Sequence, residues 1–216
     1  MARALLAGAL LAVSLSLPSA AQYARPAGDA EVLDEAGYFR ALSDFTQGRV
    51  TLLALTYSRC TDDQGCARAI AALRETRALL RSQPVLEKRV RLVSLSIDPV
   101  NDVPRSLAAY AALARGAGRG ADWRFLTTLS PRRLAPILAG LDPRVPAPAA
   151  SAGIPLLPEH LGVYLLDSQG NVRQNYAIAS ASPRAILADI RTLEREQRLP
   201  PRDLLSASPD ATRTAR

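Results

Sequence analysis

The apolar residues of this chain fall into short runs divided by turn-forming residues, and the period of each run predicts an element. Val50 to Tyr57 is mostly apolar and rich in β-branched residues, bounded by Gly48 and Ser58-Arg59. So short a run predicts a central strand buried on both faces. From Cys66 to about Ser82 the period turns helical, with Cys66, Ala69, Ile70, Leu73 and Leu80 on one face and arginines opposite. Arg91 to Ile97 is a second strand closed by Asp98-Pro99, and Pro104 to Arg115 a second helix with proline in its first turn. Trp123 to Thr128 is a third strand. Ser130-Pro131 then caps and opens a helix that ends near Gly140. Leu161 to Leu166 and Asn171 to Ile178 flank Asp167-Ser168-Gln169-Gly170 and predict a hairpin. Ser182-Pro183 opens a last helix running to about Arg198. Residues 22–48 read as polar and irregular, with Glu31-Val32-Leu33 as a short edge strand. Residues 142–158 carry five prolines and little periodicity, which predicts a long loop of the kind that often carries function.

Alternating strands and helices imply parallel pairing with right-handed crossovers, and the terminal hairpin adds antiparallel strands. The expected fold is therefore α/β: a thioredoxin-like three-layer sandwich with a central mixed sheet, a terminal β-hairpin and a proline-rich loop insertion. In open sheets of this kind chemistry gathers beyond the carboxyl ends of the strands, which is where Cys60 lies.

Composition narrows the chemistry. The 216 residues include two Cys, one His and one Met, so a four-ligand Cys/His zinc site within one chain is impossible. Any His-dependent nucleophilic catalysis would have to run through His160. The formal net charge is +7, but of 27 basic residues only Lys88 is lysine, and the arginines are scattered rather than gathered into a stripe with interleaved aromatics. Nucleic acid is not an expected partner; acidic partners and membrane surfaces fit the charge better.

The first 21 residues read as a secretory signal peptide: Arg3, an uncharged stretch from Ala4 to Leu17, then Pro18-Ser19-Ala20-Ala21 as a cleavage region. The stretch falls short of the roughly 20 apolar residues of a spanning helix. The expected location is exported and periplasmic, with no stable membrane span after cleavage. An uncleaved segment anchoring the chain to the inner membrane is the alternative. Residues 22–30 are expected to be a flexible lead-in, 31–198 the folded domain and 199–216 a disordered tail.

Cys60 and Cys66 are separated by Thr61-Asp62-Asp63-Gln64-Gly65. Six helical steps would rise roughly 9 Å, too far for a disulfide, so the sulfurs meet only if Cys60 lies in the loop. Asp62 or Asp63 could cap the following helix, whose first turn favours thiolate at Cys66. Three readings stand: a structural disulfide, a redox pair, or a soft-metal site for Cu(I). His160, at the end of the proline-rich loop, could complete a Cys-Cys-His set. Asp98 and Asp102 are read as a cap near Pro104 in preference to groups supporting the site, and Tyr57 and Trp123 as packing residues.

The chain resembles the Sco/SenC family of copper-handling, thioredoxin-like proteins over about residues 31–196. The resemblance rests on Gly48-Arg49-Val50-Thr51-Leu52-Leu53 leading into Thr56-Tyr57-Ser58-Arg59-Cys60, and on Ser96-Ile97-Asp98-Pro99-Val100-Asn101-Asp102. Trp123-Arg124-Phe125-Leu126-Thr127 adds to it, as does His160 followed by Tyr164-Leu165-Leu166-Asp167 and Gly170. It implies one copper per monomer, Cu(I) and in some states Cu(II), on Cys60, Cys66 and His160. It also implies a copper-acceptor partner such as an oxidase copper-site subunit, or a thiol–disulfide partner of Cys60 and Cys66. The departure from the family is the gap between the cysteines: five residues here, where the family usually has three, with Cys66-Ala67 in place of Cys-Pro.

Overall fold

The computed structural model describes residues 25–59, 65–144 and 161–198, with Cys66 described through its backbone alone. The expected signal peptide, the C-terminal tail and most of the proline-rich loop lie outside the described residues. Among the described residues eight strands form one sheet: β1 (Arg25–Pro26), β2 (Glu31–Asp34), β3 (Phe39–Ala41), β4 (Val50–Thr56), β5 (Val90–Ser96), β6 (Asp122–Thr127), β7 (Gly162–Leu166) and β8 (Asn171–Ala177), in the order β1-β8-β7-β4-β5-β6-β2-β3. The helices are α1 (Ser43–Thr46), α2 (Cys66–Leu80), α3 (Pro84–Glu87), α4 (Pro104–Arg115), α5 (Pro131–Leu141) and α6 (Pro183–Glu196).

β4 pairs parallel with β5, and β5 with β6, while β7 runs antiparallel to both β4 and β8. This is the mixed α/β sheet expected from the alternation of elements. Every residue of β4 is buried. Since successive side chains of a strand point to opposite faces, both faces of the sheet must be covered at its centre. α2 packs against β4 and α6 on the way. Among the described residues the buried hydrophobic core runs from Ala27 to Leu193.

The N-terminal third departs from expectation. Within the segment 22–30, read as flexible, Arg25 and Pro26 join the sheet as β1, Arg25 pairing with Val172 and Pro26 with Asn171. The short strand read at Glu31-Val32-Leu33 is β2, and the rest of the stretch to residue 48, read as irregular, forms β3 and α1. Nor is β2 an edge: it lies between β6 and β3. The reason is a tight reversal in which Asp34 Oδ1 accepts the backbone N–H of Ala36 and Tyr38, with Gly37 at φ 86° completing the turn.

Candidate functional site

The parallel register Thr56↔Ser96 ends β4 and β5 at the same level, and Ile97 N–H donates to Thr56 O at 2.9 Å to carry the pairing one step further. The two chains then diverge, β4 toward Cys60 and β5 toward Asp98-Pro99. They are tied together by Asp102, which has no exposed surface. Its carboxylate accepts the backbone N–H of Ser58 at 2.9 Å, the Ser58 hydroxyl, and the Ser96 hydroxyl at 2.5 Å. Ser96 Oγ in turn accepts Asp98 N–H at 3.1 Å. A buried carboxylate is costly unless its lone pairs are filled, and three donors fill them here.

Asp98 shapes the same turn. Its carbonyl accepts the N–H of Asn101 and of Asp102, and both of its carboxylate oxygens accept from the Asn101 side-chain Nδ2 at 2.9 Å. Arg59, next to Cys60 in sequence, reaches Asp98 Oδ2 at 3.2 Å. The cap assignment of Asp102 is therefore corrected. Val103 occupies the N-cap of α4 without a side-chain bond, and Asp102 turns back to hold Ser58. Local spacing could not reveal a partner 44 residues away. The clue available in the sequence was that both motifs, Thr-Tyr-Ser-Arg-Cys and Asp-Pro-x-x-Asp, end adjacent strands at the same level.

Cys66 is the first residue of α2, with Gly65 as its N-cap and Ala69 N–H donating to Gly65 O at 3.1 Å. The N-cap is thus Gly65, not the aspartates proposed for it. Cys60 and His160 lie outside the described residues. The elements that flank them in sequence converge on one end of the sheet. The antiparallel register from Thr51↔Leu166 to Ala54↔Val163 brings the start of β7, just after His160, to the end of the sheet where β4 exits toward Cys60. α2 starts at that end as well, because it follows β4 and returns along it. Among the described residues no group of three His, Cys, Asp or Glu side chains is placed to hold a metal.

The β6 side of the sheet is closely packed by aromatic rings. Tyr110 packs edge-on to Phe125 with ring centroids 5.8 Å apart. Burial first, and the nearby Asp102 charge second, push the Tyr110 phenol up to about 12, so it stays protonated at neutral pH. Trp123 is a packing residue as expected: buried, its indole N–H donates to Ser94 Oγ at 3.0 Å and its ring lies 5.2 Å from Phe125. Tyr57 is half-buried.

A sheet of this order, with a cysteine opening the helix after the first parallel strand, defines a thioredoxin-like protein. The SCO1/SenC family model matches residues 20–195, and the chain belongs to that family. No curated protein matches it by sequence. Among solved structures it is similar to BsSco, described as a member of the Sco family of cytochrome c oxidase assembly proteins with a disulfide switch. The two share 20% identity over 80% of this chain and 95% of that one, with a TM-score of 0.63. Apo Sco1 of Thermus thermophilus is 22% identical over 79% and 92% of the two chains, with a TM-score of 0.58. ScoI of Bradyrhizobium japonicum, solved with copper bound, is 18% identical over 77% and 98%, with a TM-score of 0.56. At these identities the structures establish the fold.

Proposed function

We propose that this protein is exported and binds one copper ion through Cys60, Cys66 and His160. It delivers that copper to, or maintains the thiols of, a copper site in a respiratory oxidase or another copper enzyme. The observation that carries the reading is the family match over residues 20–195, combined with the chain's only two cysteines and only histidine flanking elements that converge on one pole. The donor chemistry fits. Two thiolates and one imidazole are soft and borderline ligands suited to Cu(I), and the only methionine is Met1. Copper is here the cargo, and the copper-bound state of the Bradyrhizobium japonicum relative supports that reading by likeness. The five-residue gap between the cysteines makes the loop longer than is usual for the family, and the Ser58–Asp102 anchor fixes the point from which it departs.

The test is competition for Cu(I). The reduced protein should take one equivalent from a chelator of moderate affinity. Cys60→Ser or Cys66→Ser should abolish the transfer and His160→Ala should weaken it. A reduced protein that leaves the chelator loaded sinks the copper reading.

A second reading is favoured by the place of Cys66 at the start of α2, where thiolate is stabilised. In it Cys60 and Cys66 act without metal as a dithiol that reduces a partner's disulfide. Two electrons and two protons pass to the partner as the Cys60–Cys66 bond forms. It predicts a midpoint potential of roughly −120 to −270 mV, whereas a bond resistant below about −300 mV marks a structural clip.

A further inference from the structure

The pole opposite the cysteine loop has a chemistry of its own, which the copper reading does not use. Here the parallel strands begin: Arg49 precedes β4, and Lys88 and Arg89 precede β5. The last turns of α6 bring Arg191, Arg195 and Arg198 to the same end. These six cations line two adjoining concavities. One is a groove of about 730 Å³ between α3 and α6, and the other a hollow of about 300 Å³ at the strand starts. The carboxylate lining both is Glu194, which is largely buried and already occupied by Arg89 at 3.0 Å and Arg198 at 3.7 Å. Arg191 and Arg195 bond neutral side chains, Gln83 and Thr192. Arg49 reaches Asp122 only at 3.9 Å. Allowing for Glu87 beside Lys88, the pole keeps an excess of about four positive charges.

Two further observations say what covers it. Val85 stands 67% exposed on the groove rim beside exposed Pro84, an apolar tip ringed by cations. The chain also enters the fold here. Ala27 N–H donates to Gly170 O at 3.1 Å, and Gly48 N–H donates to Ser168 O at 2.8 Å, so the residues following the apolar stretch Ala4–Leu17 and the basic strand starts hang on the same β7–β8 turn. An acidic peptide would call for donors aimed into one groove. Instead the cations spread over two hollows and the strand ends between them, which suits a flat array of phosphates.

We propose that this pole seats on an anionic phospholipid surface. Arg49, Lys88, Arg191 and Arg195 meet headgroup phosphates and Val85 dips into the interface. The cysteine loop then faces away from the lipid, open to an acceptor. The inference is independent of whether copper is the cargo.

Vesicle co-sedimentation tests it with a chain beginning at Gln22, since every core residue among the described residues lies between Ala27 and Leu193. That chain should bind vesicles of equal parts phosphatidylcholine and phosphatidylglycerol, bind pure phosphatidylcholine far less, and come off with salt. At about fivefold per cation, the triple variant Lys88→Gln, Arg191→Gln, Arg195→Gln should bind at least roughly tenfold more weakly. A control triple, Arg68→Gln, Arg105→Gln, Arg133→Gln, removes equal charge from exposed positions in the first turns of α2, α4 and α5 and should bind like the parent chain. Equal losses in both triples would reduce the effect to net charge and overturn the proposal. So would unchanged binding in the first triple, or no preference for phosphatidylglycerol. Retention on immobilised polyglutamate without vesicle binding would overturn it in favour of an acidic protein. Thermal unfolding of each variant confirms that it is folded.

Discussion

Asp102 decides how the cysteine loop leaves the sheet. It has zero exposure, and the donors of Ser58 and Ser96 offset the cost of burying its carboxylate. Asp102→Asn keeps the shape but removes the charge and makes one terminal group a donor facing hydroxyls. We expect it to cost about 2 kcal/mol in urea unfolding, since bonds to charged groups contribute roughly 1.5–3 kcal/mol each and partial replacement recovers some. Ser58→Ala, which loses one hydroxyl donor and keeps the backbone bond, should cost about 1 kcal/mol. If Asp102 were the helix cap suggested by its local sequence, Ser58→Ala would change nothing. A second carboxylate sets an acid limit. Asp142, at the end of α5, is held below the usual carboxylate range chiefly by its bond to the Arg144 guanidinium, aided by the Arg144 backbone N–H. A depressed folded-state pKa means the unfolded chain takes up protons first. The stabilisation is therefore complete above the ordinary carboxylate value of about 4 and is lost as pH falls through the lower folded value. The melting temperature of Asp142→Asn should accordingly fall less between about pH 6 and about pH 3 than that of the parent. Parallel melting curves for the two proteins would refute the assignment.

At the scale of elements, α5 and the segment after β1 touch backbone to backbone. A Cβ on Gly140 would sit 2.3 Å from Ala27 C and Gly28 N, and one on Gly28, at φ 76°, would sit 2.3 Å from the Pro136 carbonyl oxygen. Arg25 adds side-chain bonds to the carbonyls of Gly140 and Leu141. Gly140→Ala should therefore destabilise by about 1–3 kcal/mol or more, although alanine in a helix interior is normally better than glycine by roughly 1 kcal/mol. A urea midpoint at or above the parent's would show that the contact is looser than it looks. The same contact explains what the sequence concealed. The long apolar runs were legible: β4, β5 and β6 lie within a residue or two of their predicted ends, and α4 spans Pro104–Arg115 as read. These elements declare themselves because central strands and helix faces bury whole periods. β1 and β3, two and three residues long, carry no period at all. Their partners, Val172 for Arg25 and Arg40 for Val32, are set by tertiary packing and a turn. At the site, Cys60 lies outside the described residues, whereas the placement of Cys66 at a helix start was legible because it follows from topology. The Asp102 anchor was not, because its partner lies across the sheet.

At the scale of the whole molecule, the described residues place two different groups at opposite ends of the parallel strands: Ser58, the Asp98–Asp102 turn and the starts of α2 and β7 at one, and the cations beside the β7–β8 turn at the other. The first end has a direct thermodynamic signature if copper is its cargo. A ligand that binds only the folded chain stabilises it by about 2.7 kcal/mol at a free concentration of a hundred times Kd. For a folded unit of this size each kcal/mol is worth roughly 2–4 °C in Tm. Buffered Cu(I) at that ratio should therefore raise the melting temperature of the reduced protein by about 5–10 °C. Cys60→Ser and Cys66→Ser should each abolish the shift, because one remaining thiolate and an imidazole make a poor Cu(I) site. His160→Ala should keep part of it, and only at higher free copper. Asp102→Asn separates anchoring from ligation: its apo melting point should drop, while the added copper still raises it. A reduced parent chain whose melting curve is indifferent to Cu(I) would leave Cys60 and Cys66 as a redox pair or a clip, with no metal between them.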